Sequence, residues 1–148
     1  MKRVFITGSA GFIGFHLAKL LLQEGFRVHG LDGMTPYYDV GLKRARHDQL
    51  LAMENFTASE GLIEDEEKVE KIATDFQPQV IVHLAAQAGV RHSIEKPKAY
   101  VQSNVVGTMN IMEIARELEV EHLLMASSSS VYGANTEMPF QETKSGHQ

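Results

Sequence analysis

A chain of 148 residues, 43% hydrophobic and 22% charged, has the size and composition of one globular domain with a sizeable core, and these values exclude a disordered or fibrous polypeptide. A formal net charge of −5 with scattered Lys and Arg excludes a nucleic-acid partner, and the lack of cysteine excludes disulfides and thiolate chemistry. The apolar runs are too short to span a bilayer and Met1-Lys2-Arg3 leads into a strand, not a signal sequence, so the simplest expectation is a cytoplasmic protein with no membrane partner.

Val4-Phe5-Ile6 is a β-branched and aromatic strand pattern that breaks into Gly8-Ser9-Ala10-Gly11-Phe12-Ile13-Gly14, after which His16 to Leu22 reads as helix. Gly8 lets the chain turn off the strand, Gly11 lets a pyrophosphate approach the backbone, and Gly14 lets helix and strand pack closely. The anion would rest on the free amides and positive dipole end of the helix. A glycine triplet alone usually marks only a turn. Here Arg27 to Leu31 reads as a second strand, and Asp32 stands roughly 20 residues beyond the glycines, where a dinucleotide site needs a carboxylate for ribose hydroxyls. The competing reading of Asp32 is a solvated turn residue. An acid at this place repels a 2′-phosphate, so NAD is favoured over NADP.

A loop with Pro36, Tyr37, Tyr38 and Asp39 follows, then a helix over Leu42 to Met53. Its basic residues Lys43, Arg44 and Arg46 read as a solvated face. Phe56-Thr57-Ala58 is a short third strand, and Glu64 to Phe76 an amphipathic helix with acids in its first turn. Val80 to Leu84 is an almost unbroken apolar strand, as in a parallel sheet covered on both faces. The small residues Ala85-Ala86-Gln87-Ala88-Gly89 after it suit a cofactor face, or else close helix packing. Lys98 to Glu119 is the longest predicted helix. Its apolar residues Val101, Val105, Met109, Met112 and Ala115, with Ile111, Ile114 and Leu118 beside them, cover more than a sheet-facing stripe needs, so a second helix or a second subunit is expected against it. Glu121 to Ala126 is a fifth strand ending in Ser127-Ser128-Ser129-Ser130-Val131-Tyr132-Gly133, and the tail from Ala134 is polar and turn-rich. The seven His residues have no metal-ligand spacing, and no metal is assigned. Strand and helix patterns alternate throughout, which predicts an α/β fold: a doubly wound parallel sheet of order 3-2-1-4-5, helices on both faces, ligands across the carboxyl ends of the strands.

Four stretches, Thr7 to Gly14, His83 to Ala88, Asn104-Val105-Val106-Gly107-Thr108 and Ser127 to Gly133, resemble the extended short-chain dehydrogenase/reductase family, in order and over essentially the whole chain. Within it the chain is similar to the NAD-dependent nucleotide-sugar epimerases and dehydratases. Tyr37-Tyr38-Asp39-Val40, Leu42 to Arg46 and Gly89-Val90-Arg91-His92-Ser93 look most like the branch that epimerises UDP-glucuronate at C4. The resemblance implies a Rossmann-type NAD-binding domain over 1–148. It implies that Gly8, Gly11, Phe12, Ile13 and Gly14 cradle the pyrophosphate, that Asp32 holds the adenosine ribose, and that Ile63, Leu84, Ala85, Ala86 and Gln87 line the cofactor. Asn104 would steady the neighbouring loop. Ser128, four residues before Tyr132, would be the catalytic hydroxyl on the sugar, flanked by Ser127 and Ser129, and Arg91 would grip a sugar carboxylate in a bidentate fork.

The sequence departs from the family pattern at Leu62, where relatives place an Asp against adenine, and at Gly33, where Asn is frequent. A larger departure is the family's Tyr-x-x-x-Lys pair: Gly41, Leu42, Asn104 and Thr136 stand four residues after the four tyrosines. A tyrosine of pKa about 10 needs a nearby cation to act as base near neutral pH. The 148 residues are therefore expected to carry the cofactor part without the catalytic helix and sugar domain, and to be inactive as they stand. A homodimer through residues 98–119 is expected in the complete enzyme. A dehydratase or decarboxylase, which would want acids near Ser129 and Ser130, and a non-catalytic NAD sensor are the alternatives.

Overall fold

Alternating short strands and helices assemble into one five-stranded sheet in the computed structural model, which describes residues 1–134 and 137–143. In chain order these are β1 (Arg3–Thr7), α1 (Phe12–Gln23), β2 (Arg27–Asp32), α2 (Val40–Leu51), β3 (Phe56–Glu60), α3 (Glu66–Phe76), β4 (Val80–His83), α4 (Val90–Glu95), α5 (Pro97–Tyr100), α6 (Gly107–Glu117) and β5 (His122–Met125). All strand pairs are parallel and the order is β3-β2-β1-β4-β5, as predicted. The order reverses between β1 and β4, so the carboxyl ends of these two strands splay their loops apart and open a crevice.

Because successive strand side chains face opposite ways, β1 sends Val4 and Ile6 into one core cluster with Phe15, Ala18, Val28 and Leu50 from α1, β2 and α2. Phe5 goes into the other, with Val69, Ala73, Ile111 and Ile114 from α3 and α6. Fully burying each of the larger side chains among these contributes roughly 1.5–3 kcal/mol, and the two clusters clamp β1 with its glycine loop from both faces.

Several boundaries differ from the sequence expectation for local reasons. The second helix starts at Val40 because Asp39 caps it, its Oδ1 accepting the Gly41 N–H at 2.7 Å. α3 starts at Glu66, not at Glu64, because Asp65 accepts the Lys68 N–H and holds the N-cap. The long helix is not uniform: α5 runs into a π-helical segment, Val101–Val106, before α6. It presents Ile111, Ile114 and Ala115 to the sheet and leaves Val101, Val105, Met109 and Met112 exposed. Neither α4 nor the 3-10 turn at Ser129–Tyr132 was predicted. The turn-rich tail expected from Ala134 lies in part outside the described residues. Among the described residues no helix is long and apolar enough to cross a membrane.

Candidate functional site

The turn from β1 into α1 is built from backbone. Gly8 has φ of 76°, a left-handed conformation that glycine enters without strain, and its N–H donates to the Leu31 carbonyl at 2.7 Å. Gly11 is the N-cap of α1 and no side chain caps the helix, so the first-turn amides of Phe12 and Ile13 are open to an anion. A Cβ on Gly14 would stand 2.8 Å from the Gly8 carbonyl carbon, and one on Gly8 3.0 Å from the Ala85 nitrogen. The loop therefore closes only with hydrogen at both positions.

Asp32 ends β2 beside this loop and is 6% exposed, not a solvated turn residue. Its Oδ2 accepts the Ala10 N–H and its Oδ1 the Met34 N–H, both at 2.9 Å. Lys43 Nζ lies 3.5 Å from Oδ1, with only 12% of its side chain exposed. A carboxylate has about four acceptor directions, so Asp32 holds the glycine loop in place and still has capacity for a ligand hydroxyl. Lys43 and Arg46 correct the expectation of a purely solvated basic face. One turn apart on α2, both line the crevice, and Arg46 Nη1 donates to the Ala10 carbonyl at 3.4 Å with its guanidinium 5.8 Å from the Phe12 ring. Only Arg44 points outward, paired with Glu60.

Across the crevice, Thr7 organises the end of β4. Its Oγ1 accepts the Leu84 and Ala85 N–H groups, each at 3.1 Å, which occupies both hydroxyl lone pairs. The Thr7 proton must then go to His83 Nδ1 at 2.7 Å, leaving the His83 proton on Nε2, where it is donated to Thr108 Oγ1 at 3.0 Å. Further along, Asn104 grips Gln87 on both sides: Oδ1 accepts its N–H at 2.8 Å and Nδ2 donates to its carbonyl at 3.0 Å. Asn104 sits in the π-helical segment, whose wider turn re-aims side chains at functional sites. Tyr100 Oη shares its one proton between the carbonyls of Ala88 and Gly89.

Burial pushes the His83 imidazole below its ordinary value. For His29, packed between Phe5 and Phe76, burial and then Arg27 lower it to about 4. The unfolded chain takes up these protons near pH 6.5 while the folded chain resists, so the stability that neutral rings confer is complete above 6.5 and is lost as pH falls toward 4. Discounted for the solvent that still reaches His29, the loss from that ring between pH 7 and 5 is expected to be about 1 kcal/mol, with His83 adding in the same direction. Urea midpoints at the two pH values check it; a flat profile would contradict the two neutral rings.

Gly8, Gly11, Phe12, Ile13, Gly14 and Asp32 come together with Ile63, Leu84, Ala85, Ala86 and Gln87 around one crevice of about 720 Å³. Asn104 stands behind it, holding Gln87. Arg91, exposed on α4, and Ser127, Ser128 and Ser129, exposed beyond β5, are not in its wall, although the preceding Ala126 is. Ser128 Oγ accepts the Ser130 N–H at 3.3 Å and caps the following 3-10 turn. Over the mouth, Tyr37 from the loop after β2 packs on His92 of α4, ring centroids 5.0 Å apart. Lys43 and Arg46 were the lining residues misread from sequence. Their i, i+3 spacing soon after Asp32 was the available signal. An uncapped helix terminus, a turn without room for a Cβ and a buried carboxylate beside it fit a dinucleotide's diphosphate and ribose in charge and shape.

The GDP-mannose 4,6-dehydratase family matches residues 5–147. A Rhizobium meliloti protein described as "Probable UDP-glucuronate 4-epimerase" is 54% identical over 95% of this chain and 41% of its own length. The UDP-glucose 4-epimerase of Thermus thermophilus, solved in complex with NAD, superposes with a TM-score of 0.80 at 32% identity, over 95% of this chain and 42% of that one. The UDP-glucose 4-epimerase of Thermotoga maritima, solved with UDP-glucose, gives 0.81 at 30% identity over 98% and 44%. The chain thus spans about two-fifths of the length of these relatives.

Proposed function

This chain belongs to the GDP-mannose 4,6-dehydratase family of NAD-dependent nucleotide-sugar epimerases and dehydratases, and from that premise we propose that residues 1–148 are the NAD-holding part of a UDP-glucuronate 4-epimerase. One observation carries the cofactor half of this reading: the uncapped, glycine-lined terminus of α1 and the Asp32 carboxylate face one crevice. In it, the amides of Phe12 and Ile13 would receive the diphosphate and Asp32 the adenosine ribose. Ala85 and Ala86, held by Thr7 and by the Asn104 grip on Gln87, would form the wall for the nicotinamide end. Bound there, NAD would accept a hydride from the sugar and return it. Ser128 would hydrogen-bond the sugar hydroxyl between Ser127 and Ser129, and Arg91 would face the uronate carboxylate. The sugar is proposed from the relative at 54% identity, and serines at positions 128–130, in place of acids, speak against dehydration. In the complete enzyme the apolar face of Val101, Val105, Met109 and Met112 is proposed to meet a second copy.

The base expected of the family, a tyrosine with a lysine four residues on, is not among these residues. Loss of a general base commonly costs about 10²- to 10⁴-fold. A polypeptide of the 148 residues is therefore expected to bind NAD in calorimetry and to leave UDP-glucuronate unchanged. Measurable turnover would contradict the inactive reading, and absence of NAD binding would contradict the cofactor reading.

A further inference from the structure

Two segments outside the core meet over the crevice. From the β2 side comes a short strap: the Met34 N–H is tied to Asp32 Oδ1 and Asp39 caps α2, so residues 35–38 are pinned at both ends. From the β4 side comes α4, which has no buried residue, behind a loop whose Ala88 and Gly89 carbonyls are held by Tyr100. Tyr37 makes the crossing. Its ring centroid lies 5.0 Å from that of His92 and 4.7 Å, edge-on, from that of Tyr38, and a Cβ on Gly89 would run into its Oη. Gly89, at φ of 97°, thus leaves the room that lets the strap reach the far bank. Tyr37 and Tyr38 from one bank and Gln87 and Ala88 from the other line the same crevice as the glycine turn and Asp32. A dinucleotide reaching from Asp32 to Ala85 passes beneath this contact. Tyr37 and Tyr38 are themselves exposed, so the banks can part without opening either core cluster.

Building on the dinucleotide reading, we propose that Tyr37 and His92 form a clasp that must part each time the cofactor enters or leaves. Epimerisation takes a hydride from the sugar and gives it back, so a retained cofactor serves it, whereas escape of the reduced form would leave the oxidised sugar without its hydride. Stopped-flow on the full chain tests the clasp, with NADH fluorescence reporting association and excess NAD displacing bound NADH. Tyr37→Ala is expected to raise both the association and the dissociation rate constant about fivefold, the factor that loss of one ring pair allows, so that Kd moves less than either rate. Tyr37→Phe keeps the ring on His92 and should stay within about twofold of the wild type. His92→Ala cuts the clasp from the opposite bank and should repeat the Tyr37→Ala result, which keeps the test decisive if Tyr37→Ala fails to fold. Faster dissociation alone, or neither rate changed in the alanine variants, would overturn the clasp while leaving the NAD site standing. Failure of the wild type to bind NADH would overturn both.

Discussion

Gly14→Ala is expected to raise the dissociation constant for NAD by about a hundredfold and to lower Tm by about 5 °C. The added Cβ meets the Gly8 carbonyl group and lies 3.0 Å from Ser9 Cα. These are backbone atoms of the turn itself, with no side chain to rotate away, so α1 must shift. Overpacking of this kind costs about 1–3 kcal/mol, which outweighs the gain of up to about 1 kcal/mol from replacing glycine by alanine in a helix. At two to four degrees per kcal/mol for a chain of this size, the expected fall in Tm follows. The shift also carries the Phe12 and Ile13 amides off the diphosphate, and two lost charge-assisted hydrogen bonds account for about 3 kcal/mol of binding. Gly25→Ala is the control. Gly25, unlike Gly14, has a positive φ, 83°, but nothing lies within 4 Å of its Cβ position, so stability should drop while NAD affinity stays. Normal NAD binding by Gly14→Ala would contradict the close approach of turn and helix.

Thr7→Val is the second large effect. Valine matches threonine in shape, so packing is kept and only the hydroxyl goes. Its removal leaves the Ala85 N–H and His83 Nδ1 without their shared partner, while the Leu84 N–H keeps the Thr7 carbonyl at 3.2 Å. Each buried polar group left unpaired costs about 1–3 kcal/mol, and local relaxation returns part of it. A loss of about 3 kcal/mol, or roughly 10 °C in Tm, is expected in thermal unfolding. Thr7→Ser, which keeps the hydroxyl, should recover most of it. A Thr7→Val chain as stable as the wild type would show that the hydroxyl does not hold the β4 loop.

The sheet order was legible because it follows from alternating strand and helix patterns and from the handedness of parallel crossovers. The glycine turn was legible because its demands are local: Gly8, Gly11 and Gly14 must lack side chains whatever surrounds them. Asp32 could be placed by spacing, but its second task of receiving the Ala10 and Met34 amides depends on how the loop folds back. Lys43 and Arg46 were misread because which side of α2 faces the crevice is set by packing of Leu50 into the core, a tertiary fact. The π-helical turn around Asn104 left no periodic signal, since an extra residue in one turn only displaces the apolar stripe. It is explained by what Asn104 reaches, the backbone of Gln87. The proposed substrate-side roles of Arg91 and the serines at 127–129 rest on resemblance, not on contacts within the chain.

Bare amides at the start of α1 are proposed to receive a diphosphate while Asp32 receives the adjoining ribose. A ¹⁵N–¹H correlation spectrum of the chain titrated with NAD tests it most directly. The amides of Gly11, Phe12 and Ile13, together with Ala10 and Met34 on Asp32, should shift in saturable fashion, while those of α3 beyond its first turn stay in place. Saturating NAD that leaves the Gly11 to Ile13 amides unmoved would contradict the account.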